Sequence, residues 1–334
     1  MQSSKWYHQS GPSAEVVIST RVRFARNLAD TPFTGRMNGE EKEKILERVF
    51  SAFPEDYEKL RLDQMQPISV RAMVEKHLIS PEFASKEGPR GLVINQDNST
   101  SVMVLEEDHI RIQCLKPGLQ LKECLEEATG VDRLLEGQME FAFDEQLGYL
   151  THCPTNLGTG MRASVMLHLP ALSQSGLMGA LIENVSKLGL TFRGLYGEGT
   201  QAKGCLYQLS NQVTLGITEE ETVEKLGDIA ARMIEQELGL RRRFLEQNEN
   251  GVLDSIWRAY GVLKYAHSLS SDEFMSLMSN VRMGAAMGLI GNLTLPQVDA
   301  LVIAAGPANL MEQFGDMRPD QRDAARAKLV RENL

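Results

Sequence analysis

The 334-residue sequence is poor in most features that would place it at a glance. Its four cysteines, Cys114, Cys124, Cys153 and Cys205, have neither metal-ligand spacing nor the density of a disulfide scaffold. They read as reduced thiols of a cytoplasmic protein. His152, His168 and His267 stand apart, so no histidine cluster offers a metal site. No run of about 18 apolar residues appears, which leaves no membrane-spanning helix. The start, Met-Gln-Ser-Ser-Lys-Trp, lacks an apolar signal core. Positive charge is not in surplus. Lys and Arg number 35 against 45 Asp and Glu, and the net charge of -10 argues against direct binding of nucleic acid. Arginines that serve a polyanion must then be gathered locally. There is no internal repeat and no low-complexity tract. With 42% hydrophobic residues, the chain can bury a large core and is expected to split into two domains.

The patterns that are present fall into two regions. Residues 15 to 26 alternate apolar and polar and predict a strand. So do Ser99 to Leu105 and Ile110 to Leu115, joined by a tight turn at Asp108-His109. In the last of these, Ile110, Ile112 and Cys114 share one face, and Arg111 and Gln113 the other. Glu107 has the parity of Arg111, so both can address one cleft. Met161 to Leu169 alternates too, with Ala163, Val165 and Leu167 inward and Arg162, Ser164, Met166 and His168 opposite. Helices are expected over Glu40 to Phe53, over Gly176 to Leu188, and onward from a capping box at Thr218 and Glu221. Asn248-Glu249-Asn250-Gly251 reads as a linker. Beyond it the chain is helical in character, with breaks at Ser270-Ser271, Thr294-Leu295-Pro296 and Gly306-Pro307. Met275, Met278, Met283 and Met287 read as core.

Five arginine-bearing stretches carry the chemistry. They are Ser19-Thr20-Arg21-Val22-Arg23, Glu106-Glu107-Asp108-His109-Ile110-Arg111, Asn156-Leu157-Gly158-Thr159-Gly160-Met161-Arg162-Ala163, Arg193-Gly194-Leu195-Tyr196-Gly197-Glu198, and Arg322-Asp323-Ala324-Ala325-Arg326-Ala327. Any one arginine alone reads as a surface or ion-pair residue. Glu106-Glu107-Asp108 alone reads as a solvated turn, and Gly158-Thr159-Gly160 as a turn. In combination they suit a triphosphate with magnesium, because arginine meets phosphate oxygens with paired donors. Phosphoryl transfer rests mainly on positioning and charge neutralisation, which an arginine cage with Mg²⁺ supplies. Glu107 and Glu198 would repel a phosphate. They make sense if the acceptor is a guanidinium, which a carboxylate can orient and relieve of a proton.

The first four stretches, in order, resemble the catalytic domain of the ATP:guanido phosphotransferases, the creatine and arginine kinase family. Cys153 to Ala163 looks like the signature around that family's reactive cysteine, and the likeness runs over roughly residues 15 to 245. The resemblance implies an α+β fold: an antiparallel sheet flanked by helices over residues 1–245, followed here by a small all-helical C-terminal domain over 250–334. It also implies ATP and Mg²⁺ as cofactors. Ser19, Thr20, Arg21, Val22 and Arg23 would bind the nucleotide, with His77 and Arg111, with Arg162, Ala163, Ser164, Val165 and Met166, and with Arg193, Gly194, Leu195, Tyr196, Gly197 and Glu198. Glu107 would be the catalytic carboxylate, Glu198 a second clamp on the guanidinium, and Cys153 a neighbour of the acceptor.

Arg21 lies near the start of the sequence, so the small helical domain that precedes this motif in the metabolite kinases is expected to be missing. An open acceptor side suits an arginine side chain within a protein, and the whole pattern resembles the protein-arginine kinases of bacteria. By that resemblance Arg322, Asp323, Arg326 and Ala327 form an allosteric phosphoarginine site; read from the residues alone they are a salt-bridged helix face. The resemblance further implies a stress-gene repressor among the protein substrates, a zinc-containing activator protein and a Clp-type protease as partners. The apolar tail is expected to make a homodimer contact. A kinase for free guanidines and a non-catalytic adaptor that reads phosphoarginine are the alternatives.

Overall fold

Alternation and capping together account for most of the elements in the computed structural model, which describes residues 5–194 and 203–334. Strand β1 (Val17–Arg26) leads to helix α1 (Gly39–Ala52), where Asn38 and Glu41 close a reciprocal capping box. Then follow β2 (Glu58–Arg61), α2 (Pro67–Glu75) and α3 (Pro81–Ser85), the two helices each opening on proline. Strands β3 (Gly91–Ile94), β4 (Thr100–Val104) and β5 (Ile110–Pro117) form a meander, and α4 (Leu121–Glu136) follows. A short hairpin, β6 (Phe143–Asp144) and β7 (Gly148–Tyr149), precedes β8 (Met161–His168). Helices α5 (Pro170–Gln174) and α6 (Met178–Lys187), then β9 (Leu190–Arg193) and β10 (Leu206–Asn211), complete this part. The helices after it are α7 (Glu219–Gln247), α8 (Glu249–Tyr265), α9 (Ser271–Ala286), α10 (Leu295–Ala304), α11 (Pro307–Phe314) and α12 (Pro319–Asn333).

Eight strands make one sheet in the order β2-β3-β4-β5-β1-β8-β10-β9, every neighbouring pair antiparallel. One face carries Val22, Phe24, Ile112, Cys114, Ala163, Val165, Leu167 and Leu209. It packs on apolar residues of α1, α4 and α7, among them Ile45, Val49, Leu125 and Leu226. Each Val, Leu, Ile or Phe among them contributes about 1.5–3 kcal/mol when fully buried. The opposite face holds Arg21, Arg23, Arg111 and Arg162. Strand alternation alone separates the two sets.

The tail forms a second apolar cluster around Ile256, Leu263, Phe274, Met278, Val281, Leu301 and Val330. The expected linker at 248–251 is absent. Asn248 alone interrupts the helices, and its side chain caps α8 by accepting from Gly251 N. Polar composition suggested a loop, but one capping residue suffices for the turn. The expected breaks near 270, 294 and 306 are helix starts, capped by the Ser270 and Thr294 side chains and opened by Pro307. His168 is also more enclosed than its place opposite the core suggested, because α9 covers it.

Candidate active site

The sheet register draws the arginines together. Arg23 of β1 sits directly opposite Arg162 of β8 on one side and Gln113 of β5 on the other. Arg21 faces Ser164, and Ala25 faces Arg111. Like charges directly opposite on paired strands are unfavourable for the sheet itself, so this pairing calls for an anion. Arg21, Arg23, Arg111, Arg162 and Arg193 line one cleft of about 270 Å³, with Glu107, Cys153, His77 and Gln208 on its walls. Burial, then the charges of Arg111, Arg162 and Arg193, pull the Arg21 guanidinium down to about 10. Arg23 is pulled well below its ordinary value by burial and by Arg21, Arg111 and Arg162. Arg21, at about 10, remains cationic at neutral pH, and Arg23 Nε is buried without a hydrogen-bond partner among the described residues.

The acidic turn before β5 divides its labour residue by residue. Glu106 is buried, and its Oε1 accepts from Arg111 and from Ser80 Oγ, each at 2.7 Å, while Oε2 accepts from Glu107 N at 3.1 Å. Burial opposes its ionisation, but Arg111, Ser80 and the Glu107 N–H outweigh that and hold the carboxyl below its ordinary value. Glu107 points to the cleft mouth, 4.0 Å from Arg111 and 3.2 Å from His152 Nδ1. Asp108 is wholly buried and accepts from Asn27 Nδ2 and from His152 N, both at 2.7 Å. It thereby ties down the loop that carries Cys153. His109 Nδ1 accepts from Leu28 N at 3.0 Å and its Nε2 lies 2.9 Å from Pro32 O, so the neutral ring with its proton on Nε2 satisfies both. Glu106, Asp108 and Asn27 escaped the reading by pattern. The only signal was that three consecutive acids cannot all face one cleft.

The loop before β8 depends on its glycines. Gly158 has φ +99°, and a Cβ there would lie 2.1 Å from Thr214 O. Gly160, at φ +63°, lies against Arg26, whose guanidinium is paired with Asp132 at 2.7 Å and donates to Thr159 O. The loop therefore enters β8 in one conformation and sets Arg162, whose Nη2 reaches Asn156 Oδ1 at 3.5 Å. Cys153 is partly exposed on the cleft wall, with Sγ 3.1 Å from Thr155 Oγ1.

Not every expected nucleotide residue presents its side chain to the cleft. Thr20, Val22, Ala163 and Val165 point to the core side, as strand alternation demands, and Thr20 Oγ1 donates to Gly118 O there. Ser19, Ser164 and Met166 line a second, adjoining chamber together with His77. Burial and the Arg21 charge push His77 down to about 4, so it is neutral. Gly194 directly follows β9 and is buried. Leu195, Tyr196, Gly197 and Glu198 lie outside the described residues.

The model of the ATP:guanido phosphotransferase C-terminal catalytic domain matches residues 41–240. The chain belongs to the ATP:guanido phosphotransferase family. The model of the protein-arginine kinase McsB C-terminal domain matches residues 249–334. The chain is 47% identical to the protein-arginine kinase of Desulforamulus reducens, over 99% of this chain and 95% of that protein. It is 44% identical to the protein-arginine kinase of Symbiobacterium thermophilum, over 99% and 96%. Among solved structures, the duplicated taurocyamine kinase of Schistosoma mansoni with bound transition state analog components aligns with a TM-score of 0.61 and 27% identity, covering 70% of this chain and 34% of that one. Lombricine kinase aligns with a TM-score of 0.61 and 25% identity, covering 72% of each.

A nucleotide triphosphate fits the cleft of this phosphotransferase. Mutual repulsion among the arginines and the orphaned Arg23 Nε are both relieved by phosphate oxygens. Among the described residues no group of three or more metal-ligating side chains is assembled. Mg²⁺ is commonly held by substrate phosphates with one or two carboxylates.

The C-terminal arginines are placed unequally. Arg326 is 1% exposed and donates to Ala305 O, Leu269 O and Asp323 Oδ1. Asp323 thus pairs with Arg326 within the fold, and Ala327 lies in the core. Arg322 is partly exposed and, with Arg326, Arg71 and Lys203, lines a cavity of about 840 Å³ between α2 and the tail. Glu75 of α2 accepts from Ala308 N and Asn309 N, both at 2.8 Å, and so caps α11 across that boundary.

Proposed function

We propose that this chain transfers the γ-phosphoryl group of Mg-ATP to arginine side chains of proteins. The carrying observation is the arginine cage with Glu107 at its rim, 4.0 Å from Arg111 and open to the cleft mouth. In this reading Arg21, Arg23, Arg111, Arg162 and Arg193 hold the phosphates and stabilise charge on the transferring group. Mg²⁺, when bound, neutralises phosphate charge. Glu107 orients the incoming guanidinium by paired hydrogen bonds and takes up its proton, with His152 at 3.2 Å from the same carboxylate. Glu106 acts through Arg111 and touches no substrate. Glu198 is proposed as the second carboxylate on the guanidinium, and Cys153 as a neighbour of it.

Residues 1–245 are proposed as the catalytic domain and 250–334 as a helical domain. The cavity at Arg322 and Arg326 is proposed to take phosphoarginine, with Arg322, whose Nη1 lies 3.6 Å from Met311 Sδ, as the more exposed arm. Family resemblance supports a cytoplasmic kinase, with a homodimer contact in the tail. It also supports a stress-gene repressor among the substrates, a zinc-containing activator and delivery of clients to a Clp-type protease.

The test is transfer of label from γ-labelled Mg-ATP to an unfolded protein and, separately, to free arginine. Acid-labile label on protein arginines that vanishes in Glu107→Ala is the expected result. Label on free arginine alone would make this a metabolite kinase. No label on either, with activator present, would refute catalysis.

A further inference from the structure

The phosphate cleft opens into a second chamber of about 80 Å³, and Arg21, His77 and Gln208 line both. A nucleotide whose phosphates occupy the cage therefore has an apolar space beside it for its base. Three parts of the chain wall that space. The sheet gives Ile18, Leu115 and Met166; the tail gives Met275 and Met278 from α9 with Val302 and Ile303 from α10; the N-terminal segment gives Trp6. Thioethers beside a flat ring make favourable contacts.

Two polar atoms in these walls lack partners among the described residues. Trp6 Nε1, a donor, and Gln208 Oε1, an acceptor, are buried without hydrogen bonds, and their residues are 3% and 2% exposed. A buried polar group left unpaired is costly. A base that presents a ring acceptor and an amino donor on one edge would satisfy both. The tail helices are also held firmly against the sheet. Arg282 of α9 pairs with Asp299 of α10 at 2.7 Å and donates to Ala14 O at 3.0 Å. Ser279 of α9 meets His168 Nε2 at the end of β8, at 2.9 Å.

We propose that α9 and α10 form one wall of the nucleotide-base site, and that Trp6 Nε1 and Gln208 Oε1 read the edge of an aminopurine. This rests on the functional reading above and deepens it: the helical tail becomes part of the ATP site as well as a support. Ile303 and Trp6 are then specificity-determining residues.

The experiment measures binding of Mg-ATP and of inorganic tripolyphosphate to the full chain, in wild type, Ile303→Trp and Trp6→Phe. Ile303→Trp fills the chamber and should weaken ATP more than about ten-fold. Trp6→Phe removes one buried donor and should weaken ATP about five- to ten-fold. Tripolyphosphate should bind all three alike, because the cage is untouched. Equal loss for both ligands in both variants overturns the proposal and makes the tail a support only. Unchanged ATP binding in both variants overturns it by placing the base elsewhere. A wild-type chain that moves no phosphoryl from ATP to protein refutes the functional reading itself. A wild type that does so, with ATP affinity indifferent to Ile303→Trp and Trp6→Phe, refutes the chamber alone.

Discussion

Glu106→Ala and Glu107→Ala should separate stability from catalysis, although the two residues are adjacent. Glu106 is 5% exposed at its side chain and pairs with Arg111, itself 17% exposed. Removing one partner of a buried pair costs about 3–5 kcal/mol. Arg111 retains some solvent and Glu107 at 4.0 Å, so the lower end, about 3 kcal/mol, applies. In a domain of this size that lowers Tm by roughly 6–12 °C. Arg111 is also released toward Arg23, so the KM for ATP should rise. Glu107, 37% exposed, should cost less than about 0.5 kcal/mol on replacement while kcat collapses. Thermal unfolding and initial-rate kinetics with ATP varied read both effects. The pH dependence has a sign. The Glu106 carboxyl is held below its ordinary value, with burial opposing and Arg111, Ser80 and the Glu107 N–H prevailing. Its contribution is full above the ordinary glutamate value, about 4.3, and is lost as pH falls through its lower folded value. Glu106→Gln should lack that acid limb. Melting of Glu106→Ala within about 2 °C of wild type, or an equal drop in Glu107→Ala, would refute this division of roles.

Three further outcomes follow from the buried groups. Burial, with Arg282 and Arg241 nearby, pushes His168 well below its ordinary value, and burial with Arg21 pushes His77 to about 4. Unfolded histidines take up protons below about pH 6.5 while these do not, so each removes up to about 1.4 kcal/mol of stability per pH unit below that point; denaturant melts at pH 7.5 and 5.5 should show a shallower loss in His168→Gln than in wild type. Gly158→Ala, with a Cβ 2.1 Å from Thr214 O at φ +99°, should lose at least about 2 kcal/mol and most activity, read by Tm and phosphoryl transfer. Native chain treated with a thiol reagent should be labelled at the partly exposed Cys153 and Cys205 and spared at Cys114, which burial pushes up to about 12, and at Cys124; Mg-ATP should protect Cys153 and not Cys205, as judged by peptide mass spectrometry.

Much of the site was legible because strand parity is a local property. Arg21 with Arg23, Arg111 with Gln113, and Arg162 with Ser164 are each two apart, so each pair shares a face wherever its strand lies. The capping boxes at Asn38 and Thr218 are equally local, since the partners stand three residues apart. The same alternation shows why Val22, Ala163 and Val165 turn their side chains to the core, although they sit inside the nucleotide motifs. The linker at 248–251 failed for the converse reason: polar residues are compatible with a loop and with a capped helix start, and only the capping bond at Gly251 N distinguishes them.

Sequence alone determined the catalytic vocabulary: which residue types stand at which spacing, in which order, and on which strand face. Tertiary structure decided what each does. The register that sets Arg23 opposite Arg162 joins strands far apart in the chain. Glu106 became the brace and Glu107 the open carboxylate because Ser80 and Arg111 close on one side of the turn and His152 on the other. The base chamber needs Trp6, Gln208 and Ile303 in contact with one space. Burial, electrostatic repulsion and unpaired donors depend on neighbours distant in sequence, and only packing brings those neighbours within reach.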